Sequence, residues 1–392
     1  PAVATPEPSA TPAAAPAPVL GKRTTDPALA VSNLAAQVEG ARQAYAARPD
    51  QLPFGKRLID LELVQAQLLG MTSRYDDMLR VADELVARAP DDARAYLLRA
   101  HVRSALHRFA DARADLGTAR EKGADADVVE ARLASAAMAA GEGDLEAMLR
   151  AADARVAIHH DYELLADRAS ILMTMGRYDD ADAAFAAAAE SYHDVSPMAL
   201  AWVDFQRGMM WAERANRPER ARPFYEAAIA RFPRYVVANV HLAELYAEGG
   251  ERDRAIALLE PVAAVAEDPE PKALLGELLV ARGGADAERG HALVAAARAG
   301  YDALLAAHPE AFADHGAEFF AGPGEDLPRA RELAAKNLAL RPTPRAYGLA
   351  VRLAVQAGDH EQACALADAA RRGRSTPNLE ATLGTVGSCA PR

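Results

Sequence analysis

One small-residue pattern recurs along this chain about every 34 residues. The anchor is a small or medium residue. A second small or bulky residue follows four positions later, Ala, Leu or a similar residue seven later, and in several units Pro twelve later. The series reads Met78, Ala82, Leu85, Pro90; then Ala112, Leu116, Ala119; Ala147, Ala151, Ala154; and Ala181, Phe185, Ala188. It continues with Ala221, Tyr225, Ala228, Pro233; Ala255, Leu259, Val262; Ala297, Tyr301, Leu304, Pro309; Ala330, Ala334, Asn337, Pro342; and Ala363, Ala367, Ala370. Successive anchors are 34, 35, 34, 40, 34, 42, 33 and 33 residues apart. Such self-similarity restricts the fold to a stacked array, because one unit cannot bury its apolar face alone.

The unit itself is readable. A further small or medium residue lies twelve positions before most anchors, at Ala66, Ala100, Ser135, Ala169, Met209, Ala243 and Val351. Between the two comes a turn signal (Gly176, Gly250, Gly358), followed in three units by an aromatic (Tyr75, Phe109, Tyr178). Each unit is therefore two amphipathic helices joined by a short turn. Gly at the turn ends the first helix, and Pro after the second forces a break before the next unit. Ala accounts for 96 residues and aromatics for only 6%. That composition favours helices that cross closely and leaves few strand formers.

The pattern resembles the tetratricopeptide repeat. GRYDDADAAFAAAA (176–189), ANVHLAELYAEGGERDRAIALL (238–259) and RARELAAKNLALRP (329–342) carry the likeness most clearly. Its C-terminal part also resembles uncharacterised exported bacterial proteins of this repeat class. The resemblance implies an all-α, right-handed α-solenoid of about nine helix pairs over residues 58–377. It is specific for fold and nearly silent on ligand. Residues 27–57 read as an N-terminal capping helix region, and 378–392 as a tail without helical drive. The unit at 128–160 is degenerate. Extra residues near 269–309 (ADAERGHALVAAARAG) lengthen a second helix, and the 40-residue interval places a six-residue insert around His193 to Leu200.

Residues 1–26, rich in Pro and Ala, form no apolar period and read as a linker. Such segments follow the removed signal peptide of exported bacterial proteins, so a periplasmic or extracellular location is expected, with the arm as a possible membrane tether. Cys364 and Cys389, 25 residues apart, form either one staple on the tail or two unpaired thiols. A cytoplasmic location is not excluded. No run of eighteen apolar residues occurs, so no transmembrane span is expected. The net charge of −12 repels phosphate backbones and argues against nucleic-acid binding.

Chemistry is sparse. No HExxH, Walker, GxSxG or GxGxxG motif occurs. His159, His160 and Asp161 mark a junction, where adjacent histidines point different ways on a helix. His308 and His315 are separated by a Pro, and Cys364 has only His360 four positions before it. No catalytic residue, metal or cofactor is expected, and function falls to a surface.

In solenoids of this family the first helix of each unit lines a concave groove. Counting back from the anchors places His101, Ser170, Met173, Gln206, Met210, Glu213 and Arg214 there. Val240, Glu244, Glu248, Glu277, Val280, Arg345 and Arg352 follow in later units. Trp202, Phe205, Met209, Met210 and Trp211 make helix 201–214 either a core helix or an apolar anchor for a peptide. Glu213, Glu244, Glu248 and Glu277 form an acidic cluster, read either as a solvated face or as suited to a basic partner. Family members that clamp a C-terminal carboxylate use Lys/Arg-x3-Asn on one groove helix; here that spacing occurs only at Arg374 and Asn378, outside the repeats. The leading expectation is a non-enzymatic protein- or peptide-binding scaffold. The alternatives are a self-associating structural module and a small-ligand, metal or enzymatic site in the array, near His291 and His308.

Overall fold

The computed structural model describes residues 21–389. Most of the expected linker, residues 1–20, and the last three residues of the chain lie outside the described residues. Twenty α-helices account for most of the rest, with no strand among the described residues.

Helix α1 (Pro27–Ala47) is capped by Asp26, whose carboxylate accepts from the amides of Ala28 and Leu29. Nine consecutive helix pairs follow. They are α2/α3 (Leu52–Leu69, Arg74–Arg88), α4/α5 (Ala93–Ala105, Phe109–Glu121), α6/α7 (Ala126–Ala139, Leu145–Ile158) and α8/α9 (Tyr162–Thr174, Tyr178–Ser191). Then come α10/α11 (Pro197–Met209, Pro218–Arg231), α12/α13 (Val236–Glu248, Arg252–Ala263), α14/α15 (Glu270–Arg282, Asp286–Ala307), α16/α17 (Pro309–Ala321, Leu327–Leu340) and α18/α19 (Pro344–Gln356, His360–Arg371). Asp or Ser/Thr caps open many of them, as at Asp92, Asp125, Asp144, Asp161, Thr343 and Asp359.

The anchors sit where the two helices of a pair cross. Met78, Ala112, Ala181, Ala221, Ala255, Ala297, Ala330 and Ala363 are all wholly buried. In the degenerate unit Ala147 is only half-buried. Helix α6 packs back on α5 through Phe109, Ala136 and Ala140, α7 packs forward on α8, and the two scarcely touch each other.

Three features depart from the spacing. The extra residues of the fifth pair go mainly into its first helix rather than a loop at His193–Leu200. After α10, a π-helical turn, Met210–Arg214, adds five residues before the connection to α11. Residues 377–384 form a short helix, α20 (Pro377–Gly384), rather than a structureless tail. Thr376 caps it, Pro377 occupies its first turn, and Leu379 and Leu383 are four apart and buried. A disulfide between Cys364 and Cys389 ties the segment after α20 to α19. Residues 22–25, within the expected linker, are docked: Lys22 Nζ donates to the Glu190 and Tyr192 carbonyls, and the Thr25 amide donates to Val195 O at 2.7 Å.

The solenoid curls until its two edges meet. Gly70 closes α2 in the left-handed conformation (φ 62°), which a side chain would strain. Its carbonyl accepts from the amides of Glu267 and Asp268 at 3.0 and 2.9 Å. The Ser73 amide donates to Glu267 Oε2 at 2.8 Å, and Tyr75 packs edge-on against His308 and Phe312. At the next turn His107 Nδ1–H donates to the Glu310 carbonyl at 3.2 Å. At the third, Arg374 donates to the Gly141 carbonyl. Turns within the early pairs thus seat on loops between the late pairs, and one apolar cluster runs from Leu34 to Leu279.

At one helix crossing, α14 on α15, glycine meets glycine, backbone to backbone. A Cβ on Gly276 would stand 2.9 Å from Gly290 O, and one on Gly290 2.8 Å from Gly276 O. Neither backbone can retreat. Gly276→Ala is expected to cost about 1–3 kcal/mol, read as a lowered midpoint in urea. Gly117→Ala, in α5 with open space around it, is expected to gain up to about 1 kcal/mol. Equal midpoints for the two variants would contradict this crossing.

Candidate functional site

First helices lie side by side from α12 through α14 and α16 to α18, as do α2 and α4, and α2 reaches α12 across the curl; the inside of this curl is the lumen. Helical spacing decides what each contributes. His241, Glu244 and Glu248 share one face of α12; Glu270 and Glu277 are two turns apart on α14; Arg345 and Arg352 are two turns apart on α18. Asp314, His315 and Glu318 come from α16, and the π-turn adds Glu213 and Arg214.

These side chains form an ionic lattice centred on Glu213. Its Oε2 lies 2.8 Å from Arg345 Nη1, and its Oε1 lies 3.1 Å from His241 Nδ1. Arg345 Nη2 reaches Glu318 Oε2 at 2.9 Å, and Arg352 lies 3.6 Å from the other oxygen of Glu318. His241 Nδ1 is also 3.3 Å from Glu244 Oε2, and His315 Nδ1 is 3.1 Å from Glu270 Oε1. The Tyr225 ring lies nearly parallel to the His241 ring, with centroids 5.7 Å apart. Asn378 of α20 donates to the Glu213 carbonyl at 2.7 Å. Arg374 and Asn378, the chain's one Arg-x3-Asn spacing, are therefore both spent on closing the superhelix.

Water still reaches the lattice: the Arg345 side chain keeps 39% of its accessibility. Burial alone would discharge His241, but Glu213 and Glu244 outweigh it and raise its pKa to about 9. For His315, burial is likewise overcome by Asp314 and Glu270, to about 10. Burial also opposes charge on Asp314, yet His315, Arg345 and Arg341 hold its carboxyl well below the usual range.

The sequence-derived groove residues divide among several environments. Glu213 and Arg352 belong to the lattice. Glu244, Glu248 and Glu277 form an acidic strip, in which partial desolvation and then the charge on Glu244 push the Glu248 and Glu277 carboxyls up. Glu248 and Glu277 are exposed and make no ion pair among the described residues. His101 lies in the N-terminal half near Arg132, Asp60 and Lys56; burial and then Arg132 lower its pKa. Gln206 is half-buried.

Met173 and Met210 are not groove residues: at 5% and 0% exposure they belong to the apolar cluster. Val240, Phe205 and Trp211 are buried too, so helix 201–214 is chiefly a core helix. The physical reason is the narrow curl. It brings α2 against α12, and apolar side chains aimed inward are covered by the chain itself. Spacing missed His241, Glu270, Asp314, His315 and Glu318. The signal available for His241 was its place one residue after Val240, on the same face as Glu244 and Glu248.

Two clefts of about 650 and 630 Å³ open elsewhere, one lined by α7 to α9 and one by α15 to α17. Neither contains a lattice residue.

The architecture is an all-α solenoid of helix pairs closed around a charged lumen. Residues 212–278 match the family model of the tetratricopeptide repeat, and the chain is a solenoid of tetratricopeptide-like repeats. Among solved structures it is similar to the APC/C hetero-tetramer Cut9–Hcn1 (14% identity, 92% of this chain and 74% of that chain, TM-score 0.40). It is also similar to yeast Tom70 (14% identity, 91% and 95%, TM-score 0.34). The P58(IPK) TPR domain is a third likeness (14% identity, 91% and 94%, TM-score 0.29). No curated protein matches the chain.

The lattice sets a pH dependence. Histidines whose folded pKa is raised stabilise the fold fully below the unfolded value of about 6.5. That contribution is lost as pH rises through about 9 for His241 and about 10 for His315. The thermal midpoint is expected to fall between pH 7 and 10. His241→Gln is expected to flatten that slope at a cost on the order of 1–3 kcal/mol near neutral pH. A wild-type midpoint unchanged over this range would rule out charged histidines here.

Proposed function

We propose that the protein is a non-enzymatic binding scaffold that takes a basic segment of a protein or peptide along Glu244, Glu248 and Glu277. Tetratricopeptide repeats commonly serve as protein-interaction scaffolds, which supports the general reading. One observation carries the specific one. The carboxylates of Glu213, Glu270 and Glu318 have cationic partners from other helices, whereas Glu248 and Glu277 have none among the described residues. Carboxylates raised by partial desolvation and by the charge on Glu244 gain most from an incoming cation, which restores the lost charge compensation. The Cys364–Cys389 disulfide supports a periplasmic or extracellular setting, because cytosolic thiols are kept reduced.

The test uses a fluorescent oligo-arginine peptide, with an oligo-glutamate peptide as control, followed by anisotropy at low salt. Wild type is expected to bind the basic peptide and not the acidic one. Glu248→Gln/Glu277→Gln is expected to weaken binding about tenfold, the sum of two modest ion pairs, with helicity unchanged. Equal affinity of variant and wild type would remove the strip as the binding surface.

A further inference from the structure

The cleft between α7 and α9 is built for an uncharged occupant. Its volume of about 650 Å³ is in the range of clefts that take ligands. The apolar lining comes from Val156 and Ile158 of α7, Leu165 of α8 and Ala183, Ala184 and Ala187 of α9. Helix α9 lacks a filler there: the position of Ala184 is held by Phe224 in α11 and by Leu258 in α13. Ile158, the last residue of α7, keeps 75% exposure, the most of any large apolar side chain among the described residues. The Arg and Asp side chains of the cleft pair with one another. Arg168 Nε donates to Asp153 Oδ1 at 2.6 Å, and Arg177 Nε donates to Asp180 Oδ2 at 2.8 Å. What stays open is apolar, and a lone charge placed against it would lose hydration without return.

The chain brings such an occupant to the mouth of the cleft. The Thr25 amide sits on Val195 O, and Lys22 Nζ on the carbonyls of Tyr192 and Glu190. Toward the N-terminus these contacts pass from the α9–α10 connection onto the last turn of α9. Glu190 continues the stripe of Ala183 and Ala187, four and three residues apart on one helix face. It lies about 4.5 Å along the axis from Ala187. Residues 8–20, PSATPAAAPAPVL, come next in the sequence, with four prolines and no charged residue. An extended Pro-rich segment has few backbone donors to satisfy and little freedom to lose on docking. At about 3 Å per residue, residues 16–20 are long enough to cover α9 from Ala187 back to Asp180, a rise of about 10 Å. Attachment through so short a link holds the segment at an effective concentration of about a millimolar, so a weak site is filled.

We infer that the cleft between α7 and α9 is the docking site of the chain's own N-terminal arm, with Val19 and Leu20 at its Ala187 end. The docked arm withholds the cleft from other uncharged Pro-rich segments. Its release opens the cleft and lengthens the reach of the arm together. The site shares no residue with the acidic strip.

The probe is a fluorescent peptide of residues 8–20, followed by anisotropy on the full chain. Val19→Asp/Leu20→Asp, which drives the attached arm out, is expected to bind the peptide about tenfold more tightly than wild type, because the attached arm no longer competes. Ala183→Arg, at an exposed position of α9, is expected to abolish binding when added to those substitutions, with helicity and oligo-arginine binding unchanged. If it does not fold, Ile158→Arg, also exposed, replaces it. No binding to Val19→Asp/Leu20→Asp would overturn the proposal, as would binding that survives the cleft substitution. Equal affinity for wild type and Val19→Asp/Leu20→Asp would give the cleft to a segment from outside the chain and overturn it too. A wild type that light scattering shows to be a dimer, beside a monomeric Val19→Asp/Leu20→Asp, would place the arm in a second copy instead.

Discussion

Close approach of two helices through alanine is the constraint on which the rest of this molecule depends. With Ala112, Ala181, Ala221, Ala255, Ala297, Ala330 and Ala363 wholly buried at the crossings, each pair is thin. Thin pairs stack with a tight curl, and the tight curl brings the edges of the ribbon together. Repeat arrays generally behave as one-dimensional stacks in which a unit feels only its neighbours. Here a second set of contacts links pairs five or six units apart, at Gly70, Ser73, His107 and Gly141. The lumen and its charges follow from that closure, for it is the late helices that carry Arg345 across to Glu213.

The lattice also explains why so many ionisable groups are tolerated inside. Each of Glu213, Glu270, Asp314 and Glu318 faces a cation supplied by another part of the chain. Water remains in contact with Arg345, so the desolvation that makes buried ion pairs costly is incomplete. The groups left over are acidic. Carboxylates remain on α12 and α14, at Glu248 and Glu277.

Much of the fold was legible in sequence because the anchors report a local property, the crossing of adjacent helices. The pair order, the turn glycines and the lengthened α15 all lie within that local reach. Other features depend on distant or subtle terms. Helix α20 owes its place to α18 and the π-turn. The π-turn absorbs residues that a length comparison assigns to a loop. Beyond it, positions counted back from an anchor drift around the helix, which is how Met210 came to read as groove-facing while being core. Spacing could mark Glu213 and Arg345 as inward-facing one at a time. It could not show that residues 132 positions apart meet, nor that His241 completes the cluster.

Those sequence distances bear on how the molecule is made. Among themselves the early pairs hold only local contacts and can stack as they emerge from the ribosome. The seam joins residues separated by 132 to 234 positions, and loop closure over such spans is slow. During synthesis the N-terminal pairs therefore exist as an open ribbon, with Gly70 and His107 unmatched until the C-terminal third arrives. The ring shuts only at the end, when Asn378 reaches the π-turn and Cys389 reaches Cys364. A nascent chain of this protein spends most of its synthesis with its future interior facing outward, where a chaperone or an early partner can meet it before the finished molecule closes.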